Sequence, residues 1–269
     1  ELDEHATERI AEILRDLKNQ GKTILLVEHK YRHFKDMVDT LVILENGAIT
    51  ASGSPDEVLA DQRIREMIYP DFSTIQKTVP DTAGTEPIIS VQNLTHSYGD
   101  VTALADISLT IHKGEFVAVV GENGSGKTTL VKHFNRLLSP TSGDVIIRGR
   151  NTKECSIAEL ARDVGLVFQN PDHMFFADTV REEIAYGVNN LGIGNSDAVI
   201  DAALRDAGLS GTADLYPRWL SRGERQRLAI ACVVAMQPEI IVLDEPTTGL
   251  DGNEALLVIR MLKNLQEKG

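Results

Sequence analysis

Residues 121–129 read Gly-Glu-Asn-Gly-Ser-Gly-Lys-Thr-Thr. Gly121, Gly126, Lys127 and Thr128 fit the spacing Gly-x-x-x-x-Gly-Lys-Ser/Thr. An apolar run, Phe116–Val120, leads into the stretch, and a helix-like run, Thr128–Leu138, follows it. That strand–loop–helix order is what a phosphate-binding loop needs. Glycines let main-chain N–H groups close around phosphate oxygens, and a helix start adds positive potential. Lys127 would reach the β- and γ-phosphates, and the Thr128 hydroxyl would ligate Mg²⁺. The expectation is an α/β nucleotide-binding fold.

A second element supports it. Ile240–Leu243 is a short run of a central strand, and Asp244 and Glu245 stand at its carboxyl end. Ligands of such sheets bind at strand carboxyl ends. Asp244 would hold Mg²⁺ opposite Thr128, and Glu245 could polarise an attacking water.

Composition narrows the class. The chain has 269 residues, 42% of them hydrophobic, which supports a real core. The formal net charge of −13 argues against a phosphate-backbone binder, so no nucleic-acid partner is expected. The two cysteines, Cys155 and Cys232, form no C-x-x-C pair, which speaks against zinc or disulfide frameworks. The longest apolar run, Leu228–Met236, falls far short of the roughly 20 residues a membrane helix needs.

Outward from the loop, strands are expected at Ile88–Leu94, Ile107–Ile111, Glu115–Val120, Asp144–Ile147 and Val164–Phe168. Helices are expected at Thr179–Asn189, Ser196–Ala207, Gly223–Met236 and Leu250–Lys268. This alternation predicts a mainly parallel sheet. Ahead of it lie an amphipathic helix in 1–21, a short apolar strand at Thr23–Val27, and a hairpin around Asn46-Gly47. A helix over Pro55–Tyr69 follows, with Ser54 as its N-cap. The segment 70–87 is polar, without apolar periodicity, and reads as a linker. The first and last 21 residues align without a gap: Leu2 meets Leu250, Asp3 meets Asp251, Leu14 meets Leu262 and Gly21 meets Gly269. The chain therefore reads as a tandem repeat that begins and ends at nearly the same point of the unit.

Several motifs in order resemble the ATPase subunits of ATP-binding cassette (ABC) proteins. Tyr98 stands where that family places an aromatic ring against adenine. Gln169, in Val-Phe-Gln-Asn-Pro, matches the Q-loop, which touches Mg²⁺ and the attacking water. Leu220–Gln226, LSRGERQ, matches the signature, whose Ser221 and Gly223 would face a γ-phosphate. Arg222 departs from the pattern, which has glycine there; its side chain would crowd the nucleotide or add charge beside it. Thr248–Asp251 matches the D-loop. Val27-Glu28-His29 looks like the switch histidine at its strand end, so His29 would contact the γ-phosphate and hold the water. The resemblance implies a P-loop NTPase core with an antiparallel β subdomain and an α-helical subdomain. It implies ATP and Mg²⁺ as ligands. Nucleotide contacts carry over to Tyr98, Gly121, Asn123, Gly124, Ser125, Gly126, Lys127, Thr128, Thr129, Gln169, Ser221 and Gly223. Metal contacts carry over to Thr128, Gln169 and Asp244, and catalysis to Glu245, Lys127 and His29.

By the same resemblance, residues 1–69 look like the tail of a first ABC module and 88–269 like a second that stops before its own switch histidine. The fragment would then bind Mg·ATP and turn it over poorly alone. Phe168–Gly187 is similar to ATPases of energy-coupling-factor (ECF) transporters, through Pro171, Asp172, Phe176, Thr179, Val180, Ile184, Ala185 and Gly187. This implies import of a vitamin or transition-metal ion, a second ABC module, a transmembrane coupling subunit and a substrate-binding membrane subunit. It implies a peripheral place on the cytoplasmic face of the membrane. Phe175 and Phe176 are either a docking surface or ordinary core. Two alternatives stand beside the transporter: a soluble tandem ABC ATPase acting on ribosomes or DNA, and an ATP-binding fragment without turnover. The acidic linker lacks the basic arm that the first would need.

Overall fold

The structure is a computed structural model that describes residues 4–20, 22, 24–26, 36–45, 48–69, 86–121 and 123–268. The chain divides into two compact units, Glu1–Gln76 with Gly249–Arg260 and Lys77–Thr248 with Met261–Gly269.

The smaller unit opens with helix α1, Glu4–Asn19. In its last turn Lys18 donates to the Met37 carbonyl and pairs with Asp39 at 2.7 Å. Strands β1, Leu41–Glu45, and β2, Ala48–Gly53, pair antiparallel as expected, while Asn46-Gly47 lies outside the described residues. The helix expected over Pro55–Tyr69 is two helices, α2 (Pro55–Leu59) and α3 (Gln62–Ile68). Ser54 caps the first through a capping box with Glu57. Asp61 breaks the run because its carboxylate caps the second, accepting from the Arg63 and Ile64 amides. Ile43, Val58 and Ile64 form this unit's core.

Among its described residues the larger unit has two sheets. Strands β3 (Pro87–Tyr98) and β4 (Val101–His112) form a long antiparallel hairpin. Helix α4 spans Lys127–Lys132. Strands β5 (Ser142–Ile147) and β6 (Arg150–Asn151) then extend the antiparallel sheet in the order β4-β3-β5-β6. Gly143, at φ +79°, lets β5 approach β3; a Cβ there would lie 2.2 Å from the Asn93 carbonyl oxygen. Helix α5 (Ile157–Asp163) leads into β7 (Val164–Val167), buried along its whole length. Helices α6 (Val180–Leu191), α7 (Ser196–Asp206) and α8 (Arg222–Ala235) follow. Strand β8 (Ile240–Leu243) then pairs parallel with β7, Val164 opposite Ile240 and Val167 opposite Leu243. Helix α9, Gly252–Lys268, follows, its residues up to Arg260 counted with the smaller unit and those from Met261 with the larger. The core between the sheets gathers Leu94, Val145, Ile147, Leu160, Val164 and Val242. Cys155 is buried there, and burial pushes the Cys232 thiol of α8 far above its usual range.

The structure corrects three local expectations. Residues 115–120 form no strand, although their apolar run led to that expectation; Phe116 is 67% and Val120 87% exposed. A strand needs a neighbour for its N–H and C=O groups, and among the described residues β8 pairs only with β7. Among the described residues the parallel component is this one pair. Ile24–Leu26 likewise form no strand, with Thr23 and Val27 outside the described residues. Helix α4 ends at Lys132 rather than Leu138, and Arg136 takes a positive φ of 59° that a helix cannot hold. Among the described residues no helix is long and apolar enough to cross a membrane.

Candidate functional site

The loop 121–126 takes its shape from glycine. Gly126 has φ +94°, and a Cβ on it would meet the Ala103 carbonyl at 2.6 Å and the Leu104 side chain at 2.8 Å. Backbone angle and close approach both exclude a side chain there. Lys127 Nζ donates to the Gly121 carbonyl at 2.9 Å, so the lysine bridges the two ends of the loop.

Beside the loop, Thr128 Oγ1 donates to Asp244 Oδ1 at 3.1 Å. Asp244 is buried at the end of β8, and its amide extends the ladder by donating to the Val167 carbonyl. A hydroxyl and a carboxylate side by side are the hard oxygen donors that Mg²⁺ prefers, so the residues present fit that ion.

The parallel register sets the next pair. Val167 lies opposite Leu243, so Gln169 and Glu245 leave the two strand ends together. Gln169 Nε2 donates to Glu245 Oε2 at 2.6 Å, and Thr248 Oγ1 donates to the same oxygen at 3.1 Å. Among the described residues Glu245 Oε1 accepts no bond. Glu245 itself sits at φ +48°, an uncommon conformation for a side chain of its length.

Tyr98 closes β3 with its ring half exposed. It meets His96 edge-on at 4.7 Å, and His96 meets His133 edge-on at 4.8 Å. His133 Nδ1 lies 2.7 Å from the Thr129 carbonyl, so it carries a proton and leaves Nε2 as acceptor. His96 Nδ1 lies 3.1 Å from both His133 Nε2 and the Ser139 carbonyl, so it too is a donor. Burial holds the His133 imidazolium below its usual range, and the neighbouring His96 adds to that effect. This buried pair links Tyr98 to the residue after α4. Two isolated histidines gave no signal of it in sequence.

Ser221 caps α8, its Oγ accepting from the Glu224 amide at 3.2 Å, and Gly223 is buried in the first turn. Arg222 turns its guanidinium onto the Thr248 carbonyl, with Nη2 at 3.1 Å and Nε at 3.3 Å. Phe175 is buried, and Phe176 is 64% exposed, edge-on to Tyr186 at 4.4 Å. One of the two phenylalanines is therefore core and the other surface. The nearly buried Glu183 holds this turn, accepting from the Phe176 and Ala177 amides, and burial pushes its carboxyl up. His29 lies outside the described residues.

A family model described as ABC transporter matches residues 104–248, from β4 through the loop to Thr248. The chain belongs to the ABC transporter family. A putative ABC transporter ATP-binding protein of Methanosarcina acetivorans is 47% identical over the whole of this chain, which covers 52% of that protein. The energy-coupling factor transporter ATP-binding protein EcfA1 of Methanospirillum hungatei is 45% identical, over 66% of this chain and 65% of its own length. Among solved structures, CbiO1 of Clostridium perfringens, part of the ABC transporter complex CbiONQ, superimposes with a TM-score of 0.62 at 33% identity. That match covers 68% of this chain and 75% of CbiO1. The ATP-binding cassette MJ0796, solved as a dimer in a post-hydrolysis state with ADP and phosphate, gives a TM-score of 0.61 at 30% identity over 67% and 83%. The ABC ATPase fold, a P-loop NTPase core with antiparallel and helical parts, is thus shared. This ABC chain spans about half the length of the two Methanosarcina relatives it matches.

Proposed function

We propose that this chain binds and hydrolyses ATP to drive a membrane importer of the energy-coupling-factor type, for a vitamin or a transition-metal ion. The observation that carries the ATPase reading is Glu245. Its Oε2 is tied down by Gln169 and Thr248, while Oε1 is left to accept from a water. A carboxylate held in this way is a water-orienting base.

The other roles follow from chemistry. Lys127 and the amides of Gly121, Asn123, Gly124, Ser125, Gly126 and Thr129 would cradle the phosphates, with Lys127 neutralising charge that develops on the γ-phosphoryl group. Thr128, Asp244 and Gln169 would hold Mg²⁺, which supplies further charge neutralisation there. Tyr98 offers its half-exposed ring to adenine. Ser221 and Gly223 would face the γ-phosphate of a second module, and His29 would position the water.

On this reading residues 1–69 and 88–269 belong to two ABC modules joined by 70–87. The doubled length of the Methanosarcina relatives supports it. The likenesses to EcfA1 and CbiO1 support the importer, with a transmembrane coupling subunit and a substrate-binding membrane subunit as partners at the cytoplasmic face.

The test uses the full-length protein. Glu245→Gln is expected to lower ATP turnover about 100-fold while leaving ATP binding in place. Lys127→Ala is expected to weaken ATP binding itself. Undiminished turnover in Glu245→Gln would sink the assignment.

A further inference from the structure

Arg222 is the one departure in the signature stretch, and its contacts are unusual. It occupies the first position of α8, where the helix end is already positive and an added cation is unfavourable. Helix stability therefore does not account for it. Its guanidinium instead makes a two-point contact on the Thr248 carbonyl. Thr248 is the far end of the turn that carries Glu245. Its amide donates to the Glu245 carbonyl at 3.1 Å, and its hydroxyl donates to Glu245 Oε2 at the same distance. All three residues lie in the larger unit. Glu245 meanwhile holds a positive φ that a free turn would tend to relax.

We propose that Arg222 is a positioning residue for Glu245. It clamps the 245–248 turn from the first turn of the signature helix, so that the carboxylate keeps its aim. The glycine of the usual signature has no side chain to do this. In this chain the signature helix therefore acts on the hydrolytic carboxylate of its own module, in addition to any role toward a nucleotide. The proposal rests on the ATPase reading above.

The test measures kcat and KM for ATP in the full-length protein. Arg222→Ala is expected to lower kcat about fivefold with KM for ATP within about twofold, because a charged hydrogen bond in an exposed position is lost. Arg222→Lys, which keeps one charged donor, recovers part of the loss. In a Glu245→Gln background Arg222→Ala adds no further loss, since the residue it aims is already disabled. Thermal melting of each variant separates a folding defect from a lost aim, and the Lys variant serves if the Ala variant fails to fold. A raised KM with unchanged kcat overturns the proposal, for Arg222 would then address the nucleotide directly. A fully additive loss in Glu245→Gln overturns it too, as does wild-type kcat in Arg222→Ala. A wild type with no Glu245-dependent turnover overturns the ATPase reading, and the proposal with it.

Discussion

His133 shows how much one side chain can hold at the residue scale. Its ring is fully buried, neutral by its bonding pattern, and shared between the Thr129 carbonyl and His96. Charging it would put a second proton on Nε2, facing the proton of His96. Its folded-state value lies below the ordinary value of 6.5, so the unfolded chain takes up that proton first. This contribution to stability is full above pH 6.5 and is lost as pH falls from there through the lowered folded value. Melting temperatures across pH 5–7.5 are expected to fall on the acid side, and His133→Gln is expected to flatten that limb. An unchanged acid limb in the variant would assign it to other groups.

At the scale of elements, the β7–β8 pair and the helix behind it are what bring Gln169 and Glu245 together. Gly165 of β7 makes the close packing possible, since a Cβ there would lie 2.3 Å from Val233 of α8 and 2.9 Å from Pro238. Gly165→Ala is expected to cost about 1–3 kcal/mol in urea unfolding by overpacking. Loss of ATP binding with unchanged stability would contradict that account. The elements also show what sequence can carry. The Ser221–Glu224 and Ser54–Glu57 caps are local, three residues apart, and Ser54 was legible as a cap. The loop and the Asp244-Glu245 strand end were legible because their chemistry is written in adjacent residues. Arg222's grip on Thr248 and the His96–His133 pair were not, because each joins residues far apart in the chain. The run Phe116–Val120 misled for a related reason: apolar character is local, but a strand exists only with a ladder partner.

For the whole molecule, two units each carry a core of their own, and the net charge of −13 keeps the surface acidic. Against that surface the exposed Phe176–Tyr186 pair is an apolar feature with a rigid base. Glu183 fixes the turn beneath it through two amides. If the coupling subunit docks there, Phe176→Ala is expected to weaken co-purification with it about tenfold while leaving ATP turnover of the detached protein near normal. Equal loss of both would point to a folding role.

The placement of the two thiols has a practical use. Cys155 is buried out of reach of alkylating reagents, and burial pushes the Cys232 thiol up, away from the thiolate they attack. With two cysteines in 269 residues, both placed in this way, the thiol background of this chain is expected to be low. A single cysteine placed at Phe176 or Tyr98 would take a fluorophore cleanly. Membrane-partner engagement and nucleotide arrival could then be followed separately in real time, without first stripping the native sulfur from the chain.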